Sequence, residues 1–187
     1  MKILILGAGS LGSIIGGHLA RAGEEVTIIA RGQRAAYLEQ HGITLTGLAD
    51  FTVPVAVTTK PQTVPEADVL VVAVKTYDTE PALASVRHLR VGSVLSIPNG
   101  VLKDEQLADT FGWDKTLGAA AFLSGGVTPA GPVRFTVNEY LVLGELPADA
   151  ATPTGRVPRS SGLIASASSM TRRRAENSAT SSCAGTG

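Results

Sequence analysis

An apolar run, Ile3-Leu4-Ile5-Leu6, passes directly into Gly7-Ala8-Gly9-Ser10-Leu11-Gly12 and then into the helical pattern Ile14, Ile15, His18, Leu19. The order strand, glycine turn, helix constrains the rest of the chain more than any other feature. In G-x-G-x-x-G the first glycine allows the tight turn, the second lets backbone approach a pyrophosphate, and the third lets helix pack on strand. The helix N-terminus then offers unpaired N–H groups and a positive dipole to an anion. No secretory signal peptide is expected, because glycines at 7, 9, 12, 16 and 17 break the apolar stretch it would need.

Glu24-Glu25 leads into Val26-Thr27-Ile28-Ile29-Ala30, a β-branched run that predicts the second parallel strand of a βαβ unit. The residue after that strand chooses the cofactor. A carboxylate there would hydrogen-bond a ribose 2′-OH and repel a 2′-phosphate, whereas this chain has Ala30 and then Arg31. The expectation is therefore NADP rather than NAD, with Arg31 on the 2′-phosphate and Arg34 as a second partner. The plainer alternative for Arg31 is a solvated loop arginine.

A helix over 33–40, ended by Gly42, precedes two short runs at 43–45 and 51–55, where Pro54 predicts an edge strand. Val69 to Val74 is the most continuous apolar run and predicts a central strand, ending at Lys75. A helix over 80–88 and a strand over 92–97 then end at Pro98-Asn99-Gly100. Polar side chains just past the carboxyl ends of parallel strands lie where open α/β sheets bind ligands, so Lys75 and Asn99 are candidate contacts. The alternatives are a surface lysine and an ordinary Asn-Gly turn. A helix over 103–111 and a small-residue strand over 116–123 follow, and 133–137 with 140–143, separated by Asn138-Glu139, predict an antiparallel hairpin. Together these elements predict an α/β, doubly wound Rossmann-type domain, with a mostly parallel sheet ending in a hairpin.

Lys and Arg together number 16, as do Asp and Glu, so the chain has no broad attraction for nucleic acid or an anionic membrane. Cys183 is the only cysteine, which allows no intrachain disulfide and fits a cytoplasmic protein. His18, His41 and His88 are scattered without metal-ligand spacing, so no metal is expected.

Taken together, the motifs resemble the amino-terminal domain of the ketopantoate reductase family, the 2-dehydropantoate 2-reductases. The resemblance rests on the opening MKILILGAGSLGSIIGGHLARAG, Arg31, Ala73-Val74-Lys75-Thr76, Ile97-Pro98-Asn99-Gly100-Val101, and Gly131-Pro132 followed by Gly144-Glu145, and it covers about residues 1–146. It implies reduction of a 2-keto acid, 2-dehydropantoate, to pantoate with NADPH, on the way to pantothenate and coenzyme A. It also implies site residues: Gly7, Ala8, Gly9, Ser10, Leu11 and Gly12 on the pyrophosphate, Arg31 on the 2′-phosphate, Lys75 and Asn99 at the nicotinamide end, and Ser124 as a further cofactor contact. The readings kept beside it are a non-catalytic NADP-binding module and a related dehydrogenase acting on another 2-keto acid or an imine.

In that family a helical second domain follows, carrying a lysine that gives the ketone its proton. Here residues 147–187 contain only Val157, Leu163, Ile164 and Met170 as large aliphatic side chains, and they are otherwise rich in Ser, Thr, Ala, Gly and Arg. That composition predicts a low-complexity, disordered tail in place of the helical domain. The last lysine is Lys115, so no catalytic acid is identifiable. Two expectations follow. Apolar surface left by a lost partner domain favours homo-oligomers, and a shifted reading frame beyond codon 146 would restore a lysine-containing helical domain on translation.

Overall fold

A computed structural model of the chain describes residues 1–146. In chain order its elements are β1 (Lys2–Leu6), α1 (Ser10–Arg21), β2 (Glu25–Ile29), α2 (Gly32–His41), β3 (Ile43–Gly47), β4 (Phe51–Val53) and β5 (Ala56–Thr58). They continue with β6 (Glu66–Val72), α3 (Thr79–Val86), β7 (Arg90–Ser96), α4 (Lys103–Phe111), β8 (Thr116–Val127) and β9 (Val133–Glu145). The expected tail at 147–187 lies outside the described residues.

All the strands among the described residues join one sheet, in the order β4-β3-β9-β8-β7-β6-β1-β2-β5. Its centre, β2-β1-β6-β7-β8, is parallel throughout. Here the strands are continuous apolar runs because both faces are covered. Ile3 and Ile5 of β1 and Val71 of β6 enter one core with α1 and α2, while Leu4, Leu6, Leu70 and Val72 enter a second core with residues of α3 and α4. The architecture is the doubly wound α/β fold expected.

Six consecutive residues of α1, Gly12 to Gly17, are buried, which no one-sided surface helix would show. The cause is curvature. The two sheet edges, β4 and β5, are joined by only Pro54 and Val55, a linker that spans roughly 10 Å. The sheet therefore curls until its edges approach each other, and α1 packs against β1 and β2 on one side and β3, β4, β8 and β9 on the other. Gly17 makes this possible: a Cβ there would lie 3.0 Å from Ile43 Cγ2.

Two local expectations are corrected. The run 51–55 is not one strand: β4 stops at Val53, Pro54 turns the chain, and a strand missed from sequence, β5, begins at Ala56 and pairs in parallel with β2. Likewise Asn138-Glu139 is not a turn. β9 runs through it, pairing with β8 along its length; Leu123 lies opposite Asn138 and Phe122 opposite Tyr140, so Glu139 is an extra residue in a bulge. The hairpin's real turn is at 128–132, closed by Gly131 N–H donating to Thr128 O at 2.9 Å. Gly131 has φ +104°, a conformation that glycine adopts freely and neither Asn138 nor Glu139 needs here. Phe122 and Tyr140 stack on the ribbon's exposed face with ring centroids 5.9 Å apart.

Asp104, in the first turn of α4, has a buried Oδ1 without a hydrogen-bond partner among the described residues. Burial pushes its carboxyl above the ordinary aspartate value of 3.8, since the desolvated charge outweighs the attraction of Lys103. A raised folded-state value means that ionising Asp104 costs stability at neutral pH. Asp104→Asn is accordingly expected to raise Tm at pH 7, with the gain fading as pH falls towards 3.8. Thermal melts across that range check it; a gain independent of pH would place the cause elsewhere.

Candidate dinucleotide site

The glycine turn after β1 is packed closely at Gly7 and Gly12. Gly7 has φ +111°, and a Cβ on it would lie 2.8 Å from Val74 Cγ1, so the turn sits directly against the end of β6. Gly12 is tighter still, because its Cβ would fall 2.0 Å from Gly7 O. Gly9 is the opposite case: a Cβ there would meet nothing within 4 Å. The turn is thus packed on its inner side and open in front of Gly9, where α1 begins. Ser13 N–H is the first in this stretch to find an intrahelical acceptor, Gly9 O at 3.0 Å. Among the described residues the N–H groups of Gly9, Ser10, Leu11 and Gly12 have no such partner, leaving unpaired donors at the positive end of the helix, with Gly9 exposed and Gly12 buried. Unpaired donors at a helix N-terminus are the kind of group that binds a diphosphate, and the residues present fit one.

Ordinary winding brings the other strand ends to it. β1 connects forward to β2 on one side, while its other neighbour, β6, continues to β7. The crevice at such a reversal of strand order is the usual ligand site of a doubly wound sheet. Lys75 follows β6 and is exposed, its ammonium 5.7 Å from the centre of the Tyr77 ring. Asn99 follows β7 and is also exposed. The two loops are tied together by Thr76 Oγ1, which donates to Asn99 O at 2.9 Å. Lys75 and Asn99 therefore stand at adjoining strand ends on the side of the sheet that carries the glycine turn.

Arg31 is the exposed residue from which α2 starts, immediately past β2 and Ala30. Its guanidinium has no hydrogen bond or ion pair with any described residue. Arg34, expected beside it, is used differently. Its guanidinium turns inward and donates to Ala8 O, Ser13 Oγ and Gly131 O. Burial draws its pKa below the ordinary arginine value, without bringing neutrality within reach at physiological pH. Ser124 lies on the exposed face of β8, opposite Val137, and its carbonyl accepts a hydrogen bond from Thr136 Oγ1 at 3.2 Å. None of its hydrogen bonds leads to the glycine turn, to Lys75 or to Asn99.

Ser13 and Thr76 were missed from sequence. Ser13 is fully buried and bonded at both lone pair and proton; a lone polar residue within the small and apolar run Gly12 to Gly17 was the available signal. Among the described residues, no cluster of His, Cys, Asp or Glu is placed to hold a metal ion, and no helix is long and apolar enough to cross a membrane.

Residues 3–148 match the family described as ketopantoate reductase PanE/ApbA. The chain belongs to this family. It is 38% identical over 150 residues to a 2-dehydropantoate 2-reductase of Pyrococcus abyssi, covering 79% of this chain and 48% of that one. A crystal structure of a PanE/ApbA family ketopantoate reductase from Ralstonia eutropha superposes with a TM-score of 0.71 at 34% identity, covering 76% of this chain and 49% of that one. The 2-dehydropantoate 2-reductase from Geobacter metallireducens gives a TM-score of 0.72 at 30% identity over 78% and 49% of the two chains. A D-mandelate dehydrogenase at 20% identity shares the fold. Ketopantoate reductases are oxidoreductases, and membership implies a nicotinamide cofactor. This chain spans about half the length of the curated relatives it matches.

Proposed function

We propose that residues 1–146 bind NADP(H) and form the cofactor half of a 2-dehydropantoate 2-reductase. The observation that carries this reading is the open space before Gly9, ringed by free N–H groups of the turn and flanked by the Lys75 and Asn99 loops. In it the N–H groups of Gly9 to Gly12 hold the pyrophosphate, the exposed Arg31 binds the 2′-phosphate, and Lys75 and Asn99 meet the nicotinamide end. Ser124, on the exposed face of β8, supplies a further cofactor contact.

When bound, the reduced nicotinamide supplies a hydride. The ketone that receives it develops negative charge on oxygen, which needs a positioned donor. Among residues 1–187 no lysine follows Lys115, so these residues do not themselves supply the proton donor that the family resemblance implies. Loss of a general acid costs ~10²–10⁴ in rate, and loss of substrate positioning costs as much again on the order of 10² or more.

Titration of NADPH into the 187-residue chain, with an assay of 2-dehydropantoate reduction, tests the reading. NADPH binding with turnover ~10²-fold or more below that of full-length relatives is expected. Turnover at their rate would overturn the argument from the missing lysine, and failure to bind NADPH would overturn the whole reading. The second reading, an NADP-binding module without catalysis, predicts binding and no turnover on any 2-keto acid or imine in a substrate panel.

A further inference from the structure

Arg34 makes three hydrogen bonds, one from each guanidinium nitrogen, to three separate segments. Nε donates to Ala8 O at 2.9 Å, Nη2 donates to Ser13 Oγ at 2.9 Å, and Nη1 donates to Gly131 O. Ser13 Oγ in turn donates to Ala8 O at 3.3 Å. The Ala8 carbonyl, in the middle of the glycine turn, thus accepts two hydrogen bonds from the protein interior, one of them from a cation.

That carbonyl belongs to the same peptide unit as the Gly9 N–H. In a trans peptide the C=O and N–H point in opposite directions, and this chain has no cis peptide among the described residues. Drawing Ala8 O inward therefore turns the Gly9 N–H away from the interior, at a residue that is exposed and on which a Cβ would meet nothing within 4 Å. A charged donor on the carbonyl also polarises the peptide and strengthens its N–H as a donor. We infer that Arg34 is the positioning residue of the pyrophosphate cradle: it locks the Ala8–Gly9 peptide in the orientation that presents Gly9 N–H to the diphosphate. It acts through the backbone and touches no phosphate. The inference rests on the dinucleotide reading above.

The third bond extends the lock to the β8–β9 turn. Gly131 has φ +104°, and a Cβ on it would lie 2.0 Å from Tyr37 Cε2, so the turn is pressed onto α2 as closely as a residue without a side chain permits. The Arg34 guanidinium lies 5.3 Å from the centre of the same tyrosine ring. Displacing the β8–β9 turn therefore disturbs the cradle through one side chain.

The test compares wild type, Arg34→Lys and Arg34→Met in the full chain, measuring Kd for NADPH, NADH, ADP and 2′-AMP together with Tm. Arg34→Lys keeps the charge and most of the buried stem but places all its donors on one nitrogen, which does not reproduce bonds leaving three guanidinium nitrogens, so it reports even if Arg34→Met fails to fold. The three pyrophosphate-bearing ligands are expected to weaken by the same factor, roughly tenfold, leaving the NADPH/NADH ratio and 2′-AMP binding unchanged. The Gly9 amide proton resonance should move downfield on ADP binding in wild type and move less in Arg34→Lys. A changed NADPH/NADH ratio, or weaker 2′-AMP, would make Arg34 a direct 2′-phosphate ligand and overturn the inference. So would unchanged Kd values with a lower Tm, the mark of a purely structural arginine. A wild-type chain that binds none of the four overturns the dinucleotide reading itself.

Discussion

Gly12→Ala is expected to destabilise the domain by about 2–3 kcal/mol and to weaken NADPH binding by ~10² or more. The new Cβ would lie 2.0 Å from Gly7 O and 3.2 Å from Ala73 Cβ. The nearer clash is with backbone, so no side-chain rotation relieves it. Helix and turn must separate, and separation misdirects the N–H groups on which the pyrophosphate depends. Gly9→Ala provides the control, because its Cβ meets nothing within 4 Å and its φ is −68°, ordinary for alanine. That variant should keep or slightly raise Tm, since alanine narrows the unfolded ensemble, yet lose NADPH binding because the methyl occupies the phosphate's space. Melts and titrations on both variants check the pair. Equal binding by Gly9→Ala and wild type would remove the pyrophosphate from this turn.

Arg31→Asp is the second large effect, and it falls on selectivity. Arg31 is exposed, has no partner among the described residues, and stands where β2 delivers the chain to the edge of the crevice. An arginine–phosphate pair contributes about 1.5–3 kcal/mol, a factor of roughly 10–10². Its replacement by a carboxylate adds repulsion of the 2′-phosphate and offers the 2′-OH of NADH an acceptor. NADPH should therefore weaken by ~10² while NADH is held equally well or better. Because the site is open to solvent, the wild-type preference for NADPH should also narrow with added salt. A parallel fall for both cofactors would remove Arg31 from the 2′-phosphate; that parallel fall is the behaviour assigned to Arg34.

The contrast between these two arginines marks how far local pattern carries. They are three residues apart, and proximity in sequence alone makes both candidates for one phosphate. Arg31 starts α2 and stays outside, whereas Arg34 is one turn further along, on the side that faces α1 and the β8–β9 turn. The placement of Lys75 and Asn99 beyond strand ends was legible for the opposite reason. Each ends a buried apolar strand, and in a parallel sheet the strand ends collect on one side whatever the detailed packing. Asn138-Glu139 misled because a polar pair between apolar runs suits a bulge as well as a turn, and only pairing with β8 distinguishes them.

By itself the sequence determined the elements whose causes are local. These are the buried β1, β6 and β7 runs, the glycine turn that Gly7 and Gly12 alone can make, and the polar residues that close each strand. Tertiary structure decided what depends on partners distant along the chain. It curled the sheet around α1, set β4 and β5 at its two edges across Pro54-Val55, and turned Arg34 inward onto Ala8. The reason is that dihedral preference and apolar periodicity act over a few residues. The position of a guanidinium 26 residues from the carbonyl it grips, and 97 from the other, is set only when the strands between them have paired.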